Sequence, residues 1–369
     1  MTSLIFNCEV ITPMFLGGAN PAKTELRAAS VKGALRFWWR AMNGHLPLKD
    51  LKERESFIFG GVGDDARRSN ILIRVNGGFQ STTKPFSPNP WLFRRIRKND
   101  RFGKLPIDAK LLILEYLAFG PVSLVNRQKI YHEYIPVGSK FTINIIIRKP
   151  TVPTEEILEA MNLLSIFGGL GSRSRNGFGR FNLGLPPGFD KPDFLSTIRS
   201  CKNKAPSPYT SLSSKTSLWD LTISNEYDNN WNNVLFDLGV AWLGSRVNYD
   251  DGDKLTSNGI ENEHVFRKRV FLSAPLNGDN NQQDLYYNGK RLKLDRHSKS
   301  HFFGLRKNNE VIEGYMLHLP YLFLENSNWD KGFRRLKTHD IKQLQVEYEN
   351  VYKEFNTKLP LHSLTPVTI

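Results

Sequence analysis

Two stretches of the chain carry cationic side chains at spacings that suit a polyanion. Lys32, Arg36 and Arg40 recur every four residues, which places them on one stripe of a predicted helix. Residues 168–180 hold five glycines and three arginines and contain no acidic residue. Guanidinium groups bind phosphate oxygens through paired hydrogen bonds, and glycine-rich backbone brings its amides close to the same oxygens. Both patterns therefore predict contacts with a phosphate backbone.

The glycine-rich stretch matches no common nucleotide-binding motif. A Walker A loop ends in Gly-Lys-Ser or Gly-Lys-Thr, and residues 168–180 contain no lysine. A dinucleotide fingerprint needs a third glycine where Ser174 stands, and its loop follows a strand and precedes a helix, whereas the order predicted here is the reverse. The stretch is therefore predicted to be a flexible loop in which Arg173 and Arg175 supply charge to phosphates.

The composition favours a large polyanionic partner. The 369 residues carry 51 Lys and Arg against 36 Asp and Glu, a net charge of +15, and 40% of them are hydrophobic. Such an excess points to nucleic acid or to an anionic membrane surface. No apolar stretch approaches the roughly 18–20 residues that cross a bilayer, and we expect no signal peptide and no membrane partner. Because Cys8 and Cys201 are the only cysteines, we expect no disulfide framework, no cysteine-based zinc site and a cytoplasmic location.

The first cationic stretch predicts an amphipathic helix over residues 30–42. The stripe of Lys32, Arg36 and Arg40 should face outward with no acid beside it. Ser30 is expected to cap the first turn, whose amides offer an anion site. Gly33 is costly inside a helix, so it either admits the backbone of a ligand or packs tightly on a sheet. At about 100° per residue, a separate apolar stripe should pack on that sheet, formed by Val31, Leu35, Trp38 and Met42.

Hydrophobic periodicity divides the chain into two tandem α+β units, residues 1–185 and 216–369. The proline- and serine-rich residues 186–215 are predicted to be a linker, and long loops interrupt both units. The order of elements favours split βαβ arrangements with antiparallel neighbours, and residues 277–284 are predicted to be a mobile insertion. Strands are predicted at residues 4–11, 71–75, 140–148, 178–183, 217–223, 269–273, 290–294 and 314–319, and helices at 30–42, 50–59, 108–119, 154–167, 232–243 and 341–355.

Three motifs also carry a family resemblance. They are TPMFLGG at residues 12–18, ELRAASVKGALRFWWR at 25–40 and GGLGSRSRNGFGR at 168–180. Together they resemble the RAMP superfamily, the repeat-associated mysterious proteins, and within it the first-numbered subunits of the Cmr complexes of type III-B CRISPR systems. In the second half only residues 298–303, SKSHFF, look similar.

The resemblance implies two tandem ferredoxin-like, RRM-like domains and a non-catalytic RNA-binding subunit without cofactor or metal. Such a subunit grips the 3′ region of the CRISPR RNA and the adjacent duplex with single-stranded target RNA, beside other RAMP subunits. The second half lacks a comparable glycine-arginine loop, so it either contacts RNA differently or docks neighbouring subunits. By position, and with Arg40 added from the basic stripe, the RNA-binding residues are Arg27, Ser30, Lys32, Gly33, Arg36, Arg40, Gly169, Gly171, Arg173, Arg175, Gly177 and Gly179.

Other functions stay open on the residues alone. Some RAMP relatives are metal-independent endoribonucleases with a histidine base, and here the candidates are His45 and His132, with Tyr131 or Tyr134 assisting. A metal site at Asp295, His297 and His301 has ligand-like spacing, but cationic residues intrude. Asp64-Asp65 resembles a turn more than a pair of catalytic carboxylates. A generic RRM or DNA-binding protein is disfavoured, because the aromatic pattern of RRM sheets is absent.

Overall fold

The structure is a computed structural model that describes residues 2–20, 23–63, 66–86, 113–125, 128–221, 230–247, 272, 284–287, 290–293, 299–322 and 338–369. Its helices are α1 (Ala28–Asn43), α2 (Leu48–Phe59), α3 (Ile113–Leu117), α4 (Thr154–Leu163), α5 (Phe194–Ser200), α6 (Trp231–Val247) and α7 (Thr338–Lys358). Its strands are β1 (Thr2–Val10), β2 (Ile71–Asn76), β3 (Val122–Val125), β4 (Gln128–Tyr131), β5 (Lys140–Ile147), β6 (Phe181–Gly184), β7 (Ser217–Leu221), β8 (Asp284–Tyr287), β9 (Lys290–Lys293), β10 (His301–Asn308), β11 (Val311–His318) and β12 (Leu364–Val367).

The first half of the chain forms a four-stranded sheet in the order β2-β5-β1-β6, with every neighbouring pair antiparallel. Side chains alternate between the two faces, as the strand period requires. Leu4 and Phe6 are fully buried on one face, while Ile5 between them is 47% exposed on the other. Helices α1 and α4 pack together against the buried face and complete the core.

The second half forms another four-stranded antiparallel sheet, in the order β10-β11-β7-β12. Phe303, Leu305 and Met316 point to one face, where α6 and α7 cover them. Trp242 of α6, for example, packs edge-on against Phe303 with ring centroids 6.2 Å apart. The described part of the chain therefore has mixed α/β architecture with antiparallel sheets, which confirms the predicted α+β class at that level.

The opposite face of the second sheet is covered by the first half of the chain. Phe302 packs on Trp38 of α1, with ring centroids 5.4 Å apart, and Tyr315 packs on Phe194, at 5.2 Å. A Cβ on Gly304 would lie 2.6 Å from the Phe167 ring, so the backbones approach closely there. Burial on both faces explains why the first five residues of β10 are all buried.

Several predicted elements need correction. The helix predicted at residues 154–167 ends at Leu163 and continues as one π turn, Leu164–Gly168. The strand predicted from residue 178 begins only at Phe181, because the glycine-rich loop extends further than expected. The predicted linker, residues 186–215, contains helix α5. Strand β10 and the hairpin of β3 and β4 were not predicted. The strand predicted at residues 269–273 lies outside the described residues except Leu272, which is helical, and the insertion at 277–284 lies outside them except at residue 284.

Candidate nucleic-acid interface

Helix α1 begins two residues earlier than predicted, and Ser30 does not cap it. The N-cap residue is Arg27, whose extended backbone makes no side-chain capping hydrogen bond. Ser30 lies inside the first turn, where its amide donates to the Arg27 carbonyl at 3.1 Å. The exposed Arg27 side chain reaches back to the carbonyl of Gly17, at 3.4 Å. The start of α1 is thus positioned by the turn that follows β1.

The predicted apolar stripe of α1 is confirmed, and a tryptophan neighbouring it adds a buried polar anchor. The four residues of the stripe, Val31, Leu35, Trp38 and Met42, are all buried. Trp39, also buried, donates its indole N–H to Glu156 of α4 at 2.7 Å. Burial of these large side chains fixes which flanks of α1 face the solvent.

The basic flank of α1 has an acidic partner, contrary to expectation. Glu55 of α2 accepts hydrogen bonds from Arg36 and, bidentately, from Arg40 at 3.0 and 2.5 Å. Burial alone would raise the pKa of the Glu55 carboxyl, but the hydrogen bonds from Arg40 and Arg36 outweigh it and hold the pKa below its ordinary value. The two arginine side chains remain 39% exposed, so they are oriented by Glu55 while still reaching solvent.

Lys32 lies at the edge of this flank in a cationic environment. Partial burial, together with the nearby charges of Arg36 and Arg148, lowers the pKa of its ammonium group. A bound anion would relieve that repulsion, because an opposite charge favours the protonated form. The electrostatics of this flank therefore favour an anionic ligand even after Glu55 is counted.

Gly33 lies on the solvent-facing crest of α1. It is exposed, and a Cβ built on it would meet no atom within 4 Å, so tight packing on the sheet is ruled out as its reason. At 100° per residue, Gly33 lies between Arg36 on one flank and Phe37 on the other. The missing side chain leaves a low crossing point over the helix, between the basic flank and the glycine-rich loop.

The glycine-rich loop, residues 168–180, is more buried and makes more internal hydrogen bonds than predicted. Four of its five glycines have positive φ, for example +93° at Gly171 and +73° at Gly179. A Cβ on Gly179 would lie 2.0 Å from the Leu170 carbonyl oxygen, which leaves no room for another residue. The expectation of free amides is wrong at Gly169, Gly177 and Gly179, whose N–H groups donate to the carbonyls of Leu164, Ser174 and Pro13.

Arg175 points into the protein. Its guanidinium donates to the Lys299 carbonyl at 2.5 Å and lies 4.7 Å from the centre of the Phe302 ring, with Phe37 of α1 on another side at 5.7 Å. Burial lowers the pKa of this guanidinium. The structure therefore does not present Arg175 as the solvent-facing phosphate ligand that the sequence predicted.

Arg180, the last residue of the loop, is fully buried. It donates to the Phe303 carbonyl through Nε at 3.1 Å and through Nη2 at 2.5 Å, and to the Ser174 carbonyl at 2.7 Å. Its Nη1 atom has no hydrogen-bond partner. Burial lowers its pKa to about 9. The sequence showed that this residue is cationic but not that its side chain points into the protein.

The outer end of the loop faces solvent. Gly171 and Ser172 are exposed and Arg173 is half-buried beside Gly120, with left-handed backbone at φ 59°. The Ser172 amide donates to the carbonyl of Phe15 at 2.8 Å. Because Arg27 reaches Gly17 of the same turn, the outer loop and the start of α1 form a continuous surface.

We call this surface the RNA rim, after the RNA contacts that the sequence predicts on α1 and the glycine-rich loop. It consists of Gly17, Arg27, Lys32, Gly33, Arg36, Arg40, Gly171, Ser172 and Arg173. Of the predicted site residues, Gly169, Arg175, Gly177 and Gly179 lie beneath it. Sequence reasoning missed Ser172 and Gly17, although Gly17 stands in the TPMFLGG motif.

Residues 7–182, which contain β1, α1 and the glycine-rich loop, match the sequence model of the RAMP superfamily. This match confirms the resemblance drawn from the three motifs. The RNA rim is thus built from the segments that carry the RAMP motifs.

Similarity to individual RAMP proteins extends the comparison. The chain is 28% identical over 200 residues to the CRISPR system Cmr subunit Cmr1-2 of Pyrococcus furiosus, covering 48% of this chain and 94% of that protein. It is 27% identical over 166 residues to Cmr1-1 of the same organism, covering 43% and 40% respectively. The crystal structure of apo Cmr1 from Pyrococcus furiosus is similar with a TM-score of 0.56 and 16% identity, over 99% of this chain and 98% of that one. The last match shows a similar fold along the chain.

Two tyrosines considered for RNA cleavage make hydrogen bonds to other groups of the protein. The Tyr131 hydroxyl donates to Glu115 at 2.5 Å, and burial with that contact raises its pKa. The Tyr134 hydroxyl donates to the Lys84 carbonyl at 2.8 Å. His45 is exposed after α1, where partial burial and the charges of Lys204 and Arg54 lower its pKa.

Among the described residues, no group of three or more histidine, cysteine, aspartate or glutamate side chains is placed to hold a metal ion. His301 is buried, with its Nε2 atom 2.9 Å from Asn356 Oδ1 and its ring stacked on His318 at 4.2 Å. Asp295 and His297 lie outside the described residues, as do Asp64-Asp65. Residues 91–104, whose sequence holds six lysines and arginines against one aspartate, also lie outside them. None of the described helices is long and apolar enough to cross a membrane.

Proposed function

We propose that this chain is a non-catalytic RNA-binding subunit of a type III-B CRISPR ribonucleoprotein. In this proposal it grips the 3′ region of the CRISPR RNA and the adjacent duplex with single-stranded target RNA, next to other RAMP subunits. The match of residues 7–182 to the RAMP superfamily and the similarity to Cmr1-1 and Cmr1-2 support it.

The observation that carries the proposal is the RNA rim itself. Arg36 and Arg40 lie on one flank of the low crossing point at Gly33, and Phe37 on the other flank contacts Arg175 of the glycine-rich loop, whose outer end carries Arg173. A ribose-phosphate strand that crosses α1 at Gly33 meets guanidinium groups on one flank and the outer loop on the other. Such contacts position a strand without reading its bases.

We also propose that each half is a ferredoxin-like domain. In the first half a helix separates β1 from β2 and another separates β5 from β6, and the sheet order is β2-β5-β1-β6. The second half repeats this arrangement with β7, β10, β11 and β12, separated by α6 and α7. This is the split βαβ topology doubled within each sheet.

In this proposal the two halves of the chain bind different partners. The second sheet has no open face for a strand of RNA, because helices cover one side and the first half covers the other. The RNA contacts are therefore assigned to the first half, and the second half supplies helical surface for neighbouring subunits.

A binding and cleavage assay tests the proposal. The chain is mixed with end-labelled single-stranded RNA in EDTA, and bound and cleaved RNA are measured by filter retention and on a denaturing gel. We expect retention without cleavage. Metal-independent cleavage that disappears in His45→Ala or His132→Ala would instead establish the endoribonuclease.

Salt dependence gives the number of phosphate contacts. For single strands the logarithm of the binding constant falls with the logarithm of the salt concentration by about 0.7 per phosphate neutralised. With about six contacts we expect a slope near −4. A flat response would show that the net charge of +15 plays no part in binding.

A further inference from the structure

The glycine-rich loop has two groups of arginines with opposite orientations. Arg173 lies at the outer end, on the RNA rim. Arg175 and Arg180 are turned inward and end on backbone carbonyls of one short segment of the second half, Lys299–Phe303. The loop is therefore attached to the second sheet at its inner side.

The inner contacts stabilise two cations without any carboxylate. Among the described residues, the hydrogen-bond acceptors of Arg175 and Arg180 are all main-chain carbonyls, at Lys299, Ser174 and Phe303. Arg175 also lies against the Phe302 ring, as in a desolvated cation–π pair. A buried charge needs such compensation, so separating the loop from β10 would leave both guanidinium groups in an apolar junction.

Most of these contacts are made to the second sheet. Phe303, whose carbonyl accepts from Arg180, and Phe302, whose ring Arg175 contacts, stand in β10, and Lys299 lies two residues before it. Strand β10 pairs with β11 along its whole length, from His301–His318 to Asn308–Val311. Main-chain carbonyls at such positions do not move independently of the sheet. The sheet thus determines where the inner loop lies, and the inner loop determines where its outer end emerges.

We propose that Arg175 and Arg180 are positioning residues that join the two halves of the chain and hold the RNA rim in place, without touching RNA. This inference rests on the proposed function only for its effect on RNA binding. The junction itself is a property of the protein without RNA. Arg175, which the sequence predicted to bind phosphate, thereby has a structural role.

The first test needs no RNA. Hydrogen exchange of the β10 amides is compared in the wild-type chain, Arg175→Ala, Phe302→Leu and the double variant. Desolvated cation–π pairs are worth up to about 2 kcal/mol, so we expect exchange to rise by up to roughly thirtyfold in Arg175→Ala. The β10 amides of the double variant should exchange little faster than those of whichever single variant exchanges faster. Arg175→Lys, which keeps the charge over the ring, should recover most of the protection.

The second test separates positioning from contact. The salt slope of RNA binding is measured for Arg173→Ala and Arg175→Ala. We expect Arg173→Ala to flatten the slope by about 0.7, the share of one phosphate, and Arg175→Ala to weaken binding while leaving the slope unchanged.

Two results would overturn the inference. One is a slope for Arg175→Ala that flattens as much as that of Arg173→Ala. The other is β10 protection that is unchanged in Arg175→Ala. If the wild-type chain binds no RNA, the proposed function fails, while the exchange experiment still decides whether Arg175 joins the halves.

Discussion

Replacing Gly33 with alanine should make the protein more stable and a weaker RNA binder. Gly33 lies inside α1 with ordinary backbone, and a Cβ there would meet no atom within 4 Å, so alanine introduces no clash. The helix should therefore gain about 1 kcal/mol, the difference between glycine and alanine in a helix interior. For a unit of about 200 residues, that gain raises the melting temperature by roughly 2–4 °C.

RNA affinity should fall, whereas stability rises. If a phosphate strand crosses α1 at Gly33, a methyl group there pushes it away from the guanidinium groups of the rim. Loss of one hydrogen bond to a charged group costs about 1.5–3 kcal/mol, which is at least a tenfold weaker binding constant. Fluorescence anisotropy with labelled single-stranded RNA measures the affinity, and thermal unfolding followed by circular dichroism measures the stability.

Gly78→Ala is the matched control. Gly78 also has ordinary backbone and open space at its Cβ, but it follows β2 and lies outside α1. It should leave RNA affinity unchanged. The reasoning about the crossing point is refuted if Gly33→Ala is more stable yet binds RNA as tightly as the wild type.

Two further predictions concern pH. Glu55 has a pKa below its unfolded value of about 4.5, so its stabilising effect is complete at neutral pH and is lost as the pH falls below about 4.5. Because solvent screens the half-exposed arginines, we expect the free energy of unfolding to fall by about 1 kcal/mol. Urea unfolding at acidic and neutral pH measures this loss, which Glu55→Gln should no longer show. Burial holds the pKa of His318 at about 3 and that of His301 well below normal, so the folded state keeps both neutral while the unfolded state takes up protons below about pH 6.5. Stability should then fall by up to about 2.7 kcal/mol per pH unit between pH 6 and pH 4, and His318→Phe should halve that slope. Equal slopes in His318→Phe and the wild type would contradict the assignment.

The elements that were predicted well have a clear period. The apolar stripe of α1 and the alternation along β1 and β5 are local signals, and their bounds agree with the structure to within a few residues. Strand β10 was not predicted, because burial on both faces removes the alternation of apolar and polar residues that marks a strand. Helix α5 had a usable signal, since Asp193 caps it by accepting from the amides of Leu195 and Ser196, but the surrounding prolines outweighed it.

The sequence indicated which segments carry the candidate site but only partly how their side chains point. In the structure α1 and the glycine-rich loop lie next to each other, with Phe37 in contact with Arg175. The pairing of Arg36 and Arg40 with Glu55 depends on how α2 packs on α1, which no local pattern reports. The inward direction of Arg175 depends on Phe302, 127 positions further along the chain. Long-range contacts therefore decided which cations remain available.

The shared junction has a consequence for dissecting this protein. Phe302 and Tyr315 pack against Trp38, Phe167 and Phe194 of the first half, so either fragment alone would expose an aromatic face. Truncations made to isolate one fragment should therefore aggregate, whereas co-expressed fragments cut within residues 202–210 should reassemble. A split chain of this kind offers a complementation reporter whose signal depends on the same contacts that shape the rim.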